Sequence, residues 1–187
     1  MSVRIQALDQ AIKRLSRTER YAQSYRKLKL LSGVGTLTAM VFLTELGDLA
    51  RFANRRQLAA YLGLAPSAFE SGERDDRKGH ITKQGPQRVR HVLCQAAWAA
   101  LRVSPEWRAK YDRIRRGCKS RGRIAIVAIM RQLGVAMWQT ARSPELGKLL
   151  DEKEALTSKR TKKKTSAQAR QKGGRPSRIT IASAQTG

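Results

Sequence analysis

Apolar side chains recur at spacings of three and four through most of this chain, and the segments they mark begin or end at helix-capping residues. Met40, Leu43 and Phe42 mark a helix over Thr36–Leu46, closed by Gly47. Asn54 caps a helix over Arg55–Leu62. Pro86 is placed as the first residue of a helix reaching about Val103, with Val89, Leu93, Ala96, Ala97 and Ala100 inward. Ser104-Pro105 opens the next helix, whose stripe is Trp107, Tyr111 and Ile114. Ile124 to Met130 alone could be a strand. Val127, Met130, Leu133, Met137 and Trp138 continue at helical spacing, so it reads as helix. Trp107 and Trp138 are read as core. The pattern predicts an all-α fold.

The N-terminal segment, residues 1–28, reads as one long helix. Ile5, Leu8, Ile12 and Leu15 form the seam either of a short coiled coil or of a helix packing on the following domain. The seam then slips to Tyr21, Tyr25 and Leu28, and Arg14, Arg17, Arg20, Arg26 and Lys27 keep the opposite face basic. A compact helical domain is expected over 29–146, and 147–187 as a disordered basic tail poor in large apolar residues. In that tail, residues 159–164 are a basic block. Gly173-Gly174-Arg175-Pro176 is similar to an AT-hook core, which would lay Arg175 in a narrow minor groove, or it is part of a non-specific electrostatic tail.

Charge narrows the partner. Among 187 residues, 39 are Lys or Arg and 14 Asp or Glu, a net charge of +25 that suits a phosphate backbone. A membrane-surface protein would want bulky apolar residues opposite its lysines, and aromatics are only 5%. Residues 1–30 hold no continuous apolar core, and the longest apolar run, Ile124–Met130, is too short for a bilayer. A cytoplasmic, nucleoid-associated chain with no membrane partner follows, and reduced thiols at Cys94 and Cys118. His91 and Cys94 share a helix face, but with His80 and Cys118 they match no common zinc spacing, so no metal site is assigned.

Two segments bear on chemistry. The sequence from Leu28 to Ala39 reads as helix, Gly33-Val34-Gly35 turn, helix, with Leu28, Leu31 and Val34 as a buried wedge. This is similar to a helix-hairpin-helix, where Gly33 and Gly35 let backbone N–H groups reach a phosphate at a helix N-terminus. Such turns also join helices for purely structural reasons. The second segment is the central loop, with Ser71-Gly72 followed by Arg74, Lys78 and Lys83, and then Arg88 and Arg90 on a helix. A hydroxyl on a glycine-flexed loop faced by guanidinium groups is what attack on a phosphodiester needs. A serine in such a loop is also common polar filler.

Several pieces stand in a specific order. They are Leu31-Ser32-Gly33-Val34-Gly35, Thr44-Glu45-Leu46-Gly47-Asp48, Arg51-Phe52, Gln57 through Pro66, Ser71-Gly72, Gly79 through Gly85, and Arg90 followed by Ala96-Ala97-Trp98. From about Leu28 to Thr140 the chain resembles the C-terminal domain of the IS-one-ten/IS-eleven-eleven family of bacterial insertion-sequence transposases. The resemblance implies a DNA recombinase guided by a structured RNA, in which a serine attacks a DNA phosphate and forms a transient phosphoserine. The matching position is Ser71, with Ser67 as the alternative; the family's lysine-glycine and arginine positions match Lys83, Gly85 and Arg90, and by their charge Lys83 and Arg90 are assigned to phosphate or RNA contact. A coiled coil before the domain implies a homo-oligomer. Family members also carry a RuvC-like domain whose acids bind Mg²⁺. No counterpart stands here, so this chain is expected to hold no cofactor and to be incomplete alone, as a truncated copy, half of an interrupted gene or a mis-started reading frame. The rival reading is a non-catalytic helix-hairpin-helix module that binds DNA or RNA, a remnant or regulator. A ribosome-associated basic protein would explain the tail but not the ordered motifs.

Overall fold

A computed structural model describes residues 2–66 and 81–151. They are helical, with one isolated antiparallel bridge between Pro66 and Ile81 and no other strand pairing among the described residues. The helices are α1 (Ser2–Leu15), α2 (Glu19–Leu28), α3 (Thr36–Leu46), α4 (Arg55–Tyr61), α5 (Gln87–Val103), α6 (Pro105–Arg115) and α7 (Gly122–Arg142). Short 3-10 turns at Leu49–Arg51 and Lys119–Arg121 join α3 to α4 and α6 to α7. The chain divides into two units, Met1–Gly147 and Lys148–Gly187. Of the second, residues 148–151 are described and are helical.

Local chemistry sets most boundaries. Asn54 Oδ1 accepts from the N–H groups of Arg56 and Gln57, each at 3.0 Å, and Ser104 Oγ accepts from Trp107 N–H ahead of Pro105 in the first turn. Gly47 closes α3 at φ 61, and Asp48 caps the 3-10 turn that follows. Pro86 is the N-cap of α5 rather than its first helical residue, because its ψ of 110 is extended. Ile124–Met130 lies inside α7, as the helical spacing of its neighbours predicts.

The N-terminal helix is interrupted, contrary to expectation. Ser16 Oγ donates to Lys13 O at 2.9 Å and Thr18 Oγ1 to Leu15 O at 2.7 Å. These hydroxyls take up carbonyls of the last turn, and Thr18, extended at ψ 149, separates α1 from α2. The break accounts for the slip of the apolar seam. Tyr21 and Tyr25 pack against the core and Leu28 is fully buried, whereas Val3, Ile5, Leu8 and Leu15 on α1 stay exposed.

The core lies around α7, which packs against α2, α4, α5 and α6. Ile129, Leu133 and Met137 on α7 are fully buried, as are Val89, Leu93, Ala97 and Ala100 on α5. Gly134 brings the helices close, since a Cβ there would stand 3.1 Å from Leu62 Cδ1 and 3.5 Å from Leu93 Cδ1. The stretch Lys119–Arg142 is long and apolar enough, by length and composition, to cross a membrane, which the apolar run alone does not suggest. Within this protein it supplies the centre of the core, and 44% of its most apolar window is buried.

Lys27 is the unusual core member, only 3% exposed. Its Nζ donates to Ser143 O at 2.7 Å and Ala141 O at 3.5 Å, placing a cation on the last carbonyls of α7. Lys27→Met keeps the apolar stem and removes the donor. The expected cost is about 1–3 kcal/mol of unfolding free energy, read from urea melts. An unchanged midpoint would show that the ammonium does not hold that terminus.

Candidate nucleic-acid interface

Residues 62–66 and 81–86, which flank residues 67–80 in sequence, lie against each other as a stem. Ile81 bridges Pro66, Thr82 N–H donates to Ala65 O at 3.0 Å, and Lys83 N–H donates to Gly63 O at 3.1 Å. Gly63 and Gly85 make the approach possible. Both have positive φ, 66 and 94, and a Cβ would collide with the Gln84 backbone in one case and Tyr61 O in the other. Lys83 sits between them at φ 55, a left-handed conformation that costs a non-glycine residue about 1 kcal/mol or more. Thr82 Oγ1 is buried at this root with no hydrogen-bond partner among the described residues.

Arg90 ties the stem to α5. Its Nη1 donates to Gly85 O at 3.0 Å, and to Leu62 O and Gln84 O at 3.3 Å each. Sequence reasoning assigns Arg90 to phosphate or RNA. The structure has this nitrogen satisfying carbonyls of both stem strands. The signal available in sequence was position alone: five residues after Gly85, one helical turn into α5, a guanidinium reaches back over the stem. Arg88 and Lys83 are exposed. Arg88 Nη1 lies 3.7 Å from Glu45 Oε1, and with Arg88 86% exposed that pair is worth well under about 1 kcal/mol. Lys83 and Arg88 therefore present charge to solvent beside the stem, with Arg90 beneath them.

Beside this site, Arg51 stacks on two rings, its Cζ 4.6 Å from the Phe52 centroid and 4.4 Å from that of Tyr61. Tyr61 Oη donates to Glu45 O at 3.2 Å, so α3, the 3-10 turn and α4 are joined just before the stem. Nothing in the spacing of Arg51 announces that role, which depends on rings brought together by the fold.

The hairpin glycines separate into two roles. Gly33, at φ 83, packs on α5, and a Cβ would stand 2.5 Å from Ala100 N and 2.6 Å from Ala96 O. Gly35 is exposed at the N-cap of α3, with open space where a Cβ would be. Val34 is buried between them, and Tyr25 Oη and Thr36 Oγ1, 3.0 Å apart, hold α2 to the start of α3. Of the two, Gly35 is the one that leaves backbone open to a ligand.

Ser71, the alternative Ser67, Arg74, Lys78, His80 and the loop acids Glu70, Glu73, Asp75 and Asp76 lie outside the described residues, as does Arg175. Among the described residues no three His, Cys, Asp or Glu side chains converge. His91 Nε2 lies 3.1 Å from Gln95 Nε2, Cys94 is half-buried, and Cys118 is exposed at the α6–α7 junction.

Gly33→Ala should destabilise the fold by more than about 2 kcal/mol, combining backbone strain with a collision on α5, whereas Gly35→Ala should leave the urea midpoint nearly unchanged. Equal effects would show that the two glycines do not differ in packing. Arg90→Ala should cost about 1–3 kcal/mol in the same measurement, since three stem carbonyls lose a charged donor. A fully stable Arg90→Ala protein would leave the guanidinium available for a ligand instead.

Residues 25–112, which include the hairpin, the stem and α5, match the family described as Transposase IS116/IS110/IS902. The chain is 40% identical over 116 residues to y4rJ of Sinorhizobium fredii, which carries the name of a transposase, covering 60% of this chain and 29% of that protein. To y4qE of the same organism, also named as a transposase, it is 48% identical over 71 residues, covering 38% and 18%. It is 36% identical over 77 residues to the transposase for insertion sequence element IS1111A of Coxiella burnetii, covering 41% and 21%. The chain thus spans less than a third of the length of these relatives. Over residues 25–112 it carries a transposase domain of the IS116/IS110/IS902 family.

Proposed function

We propose that this chain takes part in insertion-sequence transposition as a DNA-binding recombinase whose nucleophile is Ser71. The observation that carries the reading is the stem. Gly63, Gly85 and Arg90 hold residues 62–66 against 81–86, so the segment bearing Ser71-Gly72 has both of its roots fixed to one helix. Lys83 and Arg88 are exposed at those roots and suit a phosphodiester drawn against the segment. In the proposed step Ser71 Oγ attacks phosphorus. The Ser–O–P bond forms as the bond to one deoxyribose oxygen breaks, and the serine proton passes to the departing oxygen. The strand's energy is conserved in the phosphoserine, which a second strand's hydroxyl then resolves.

The open backbone at Gly35, with the positive end of α3 behind it, supplies a sequence-independent phosphate contact. A structured guide RNA would choose the target, because the described basic residues offer charge rather than a pattern of base-edge donors. The apolar seam left exposed on α1 suits pairing with a second copy. Acting on chromosomal DNA places the protein in the cytoplasm at the nucleoid. The described residues do not fit a divalent cation, for no three of its usual side-chain donors converge among them, and no step is assigned to a metal here.

Covalent trapping tests the reading. The full chain is incubated with labelled element-end DNA and its RNA, with and without Mg²⁺ and a separately expressed RuvC-like domain, and then denatured. A protein–DNA band present in wild type and lost in Ser71→Ala, with binding intact, is the expected result. Loss of the band in Ser67→Ala instead would move the nucleophile. No band under any condition, with nucleic acid still retained on a native gel, would make the chain a binding module and overturn the catalytic step.

A further inference from the structure

We infer that the junction of α6 and α7 is a second surface for nucleic acid, one that grips the phosphate backbone of a duplex. It lies beyond residues 25–112 and apart from the stem. Leu62 packs against α7 at Gly134, and the junction is at Gly122, roughly 18 Å away along the helix at about 1.5 Å per residue.

Between Arg113 and Arg123 stand six cations, namely Arg113, Arg115, Arg116, Lys119, Arg121 and Arg123, and no carboxylate. None of the six is ion-paired among the described residues, and all but the half-buried Arg115 are exposed. So dense a run of one sign repels itself, and a polyanion relieves that repulsion while releasing its own counterions. The backbone shapes the run into a tight corner. Arg116 and Gly117 both take positive φ, 51 and 69, and a 3-10 turn leads directly into α7. No side chain caps the N-terminus of α7; Gly122 N–H donates to Lys119 O of the 3-10 turn, and the positive end of the 21-residue helix adds its field at the same place. Gly117 has nothing within 4 Å of where a Cβ would be, which leaves the backbone open.

The chemistry favours a duplex. No Phe, Trp or Tyr stands between Arg113 and Arg123, and Tyr111, whose Oη would lie 3.4 Å from a Cβ at Gly122, is buried against Trp98, so no ring stands among the cations themselves to stack unpaired bases. Cations and a helix terminus read backbone, not sequence.

Cys118 lies in the middle of the corner and is fully exposed, with Ser120 Oγ 3.0 Å from its sulfur. The Ser120 hydrogen bonds, with a smaller contribution from the Arg121 charge, hold the thiol below its ordinary range. It is therefore a built-in probe, and the half-buried Cys94 is its internal control.

The inference rests on the chain binding nucleic acid but not on the Ser71 chemistry. The full chain is alkylated with iodoacetamide alone or with saturating DNA duplex, RNA duplex or single-stranded DNA, and both cysteines are followed by mass spectrometry. Duplex should slow Cys118 several-fold and leave Cys94 unchanged. Protection by DNA but not RNA duplex, or the reverse, would identify the source of the backbone. No protection by either duplex, or equal protection by the single strand, overturns the inference. In parallel, a triple variant carrying Arg116→Gln, Lys119→Gln and Arg121→Gln is compared with Arg4→Gln, Arg14→Gln and Arg17→Gln, which removes equal charge from exposed positions elsewhere. The corner variant should flatten the slope of log affinity against log salt by about 2–3, at about 0.9 for each lost phosphate contact. An equal change in the control variant would reduce the effect to net charge and overturn it. The Ser71 adduct, scored separately, reports on the recombinase reading alone.

Discussion

The close approach of Leu62 and Leu93 to Gly134 on α7 is the contact from which the rest of the site follows. A side chain at Gly134 would push against both leucines, which are fully buried. Because Leu62 is seated there, its carbonyl is fixed in space, and that carbonyl is one of the three that Arg90 binds. The guanidinium in turn holds Gly85 and Gln84, so the far strand of the stem is located relative to the near one. The order of dependence runs from core packing to a backbone carbonyl, then to an arginine, and only then to the loop. A substitution in the middle of α7 therefore acts on the site without touching it.

Much of the fold was legible because it is encoded locally. The bounds of α3 follow from Gly35 and Gly47, the start of α4 from Asn54, and the start of α6 from Ser104-Pro105. Each depends on a side chain or glycine meeting its own backbone. The break between α1 and α2 was not legible. Ser16 and Thr18 are tolerable inside a helix, and what decides is whether the following turn gains more from packing Tyr21, Tyr25 and Leu28 on the core than from continuing straight.

The parts of the site are harder to read for a related reason. Charge on a helix next to a loop reads as a ligand for phosphate, and Arg88 stays exposed there. Arg90, two residues on, points instead to the stem, where one terminal nitrogen serves the protein's own carbonyls. Sequence carries no distinction between them, since both are arginines in the first turns of α5. Gly33 and Gly35 present the same problem. A Gly-Val-Gly turn announces backbone freedom without saying whether helix or solvent takes the space, and here α5 takes it at Gly33 and solvent at Gly35.

Two cationic surfaces on one small domain could act as a single field or as separate sites, and distance decides. At physiological salt the Debye length is about 8 Å. Along α7, the seat of Leu62 at Gly134 and the corner's Gly122 are roughly 18 Å apart. Charges at the two surfaces act on each other directly only as far as the screening length allows. Beyond that length, coupling comes through a ligand, as when one duplex touches both. The corner is built for grip, with exposed cations around an open turn at Gly117. The stem, with its half-buried arginine and paired glycines, is built for position. Under the proposed reading both are needed, because a backbone held only beside the loop would be free to pivot about the phosphate that Ser71 would attack.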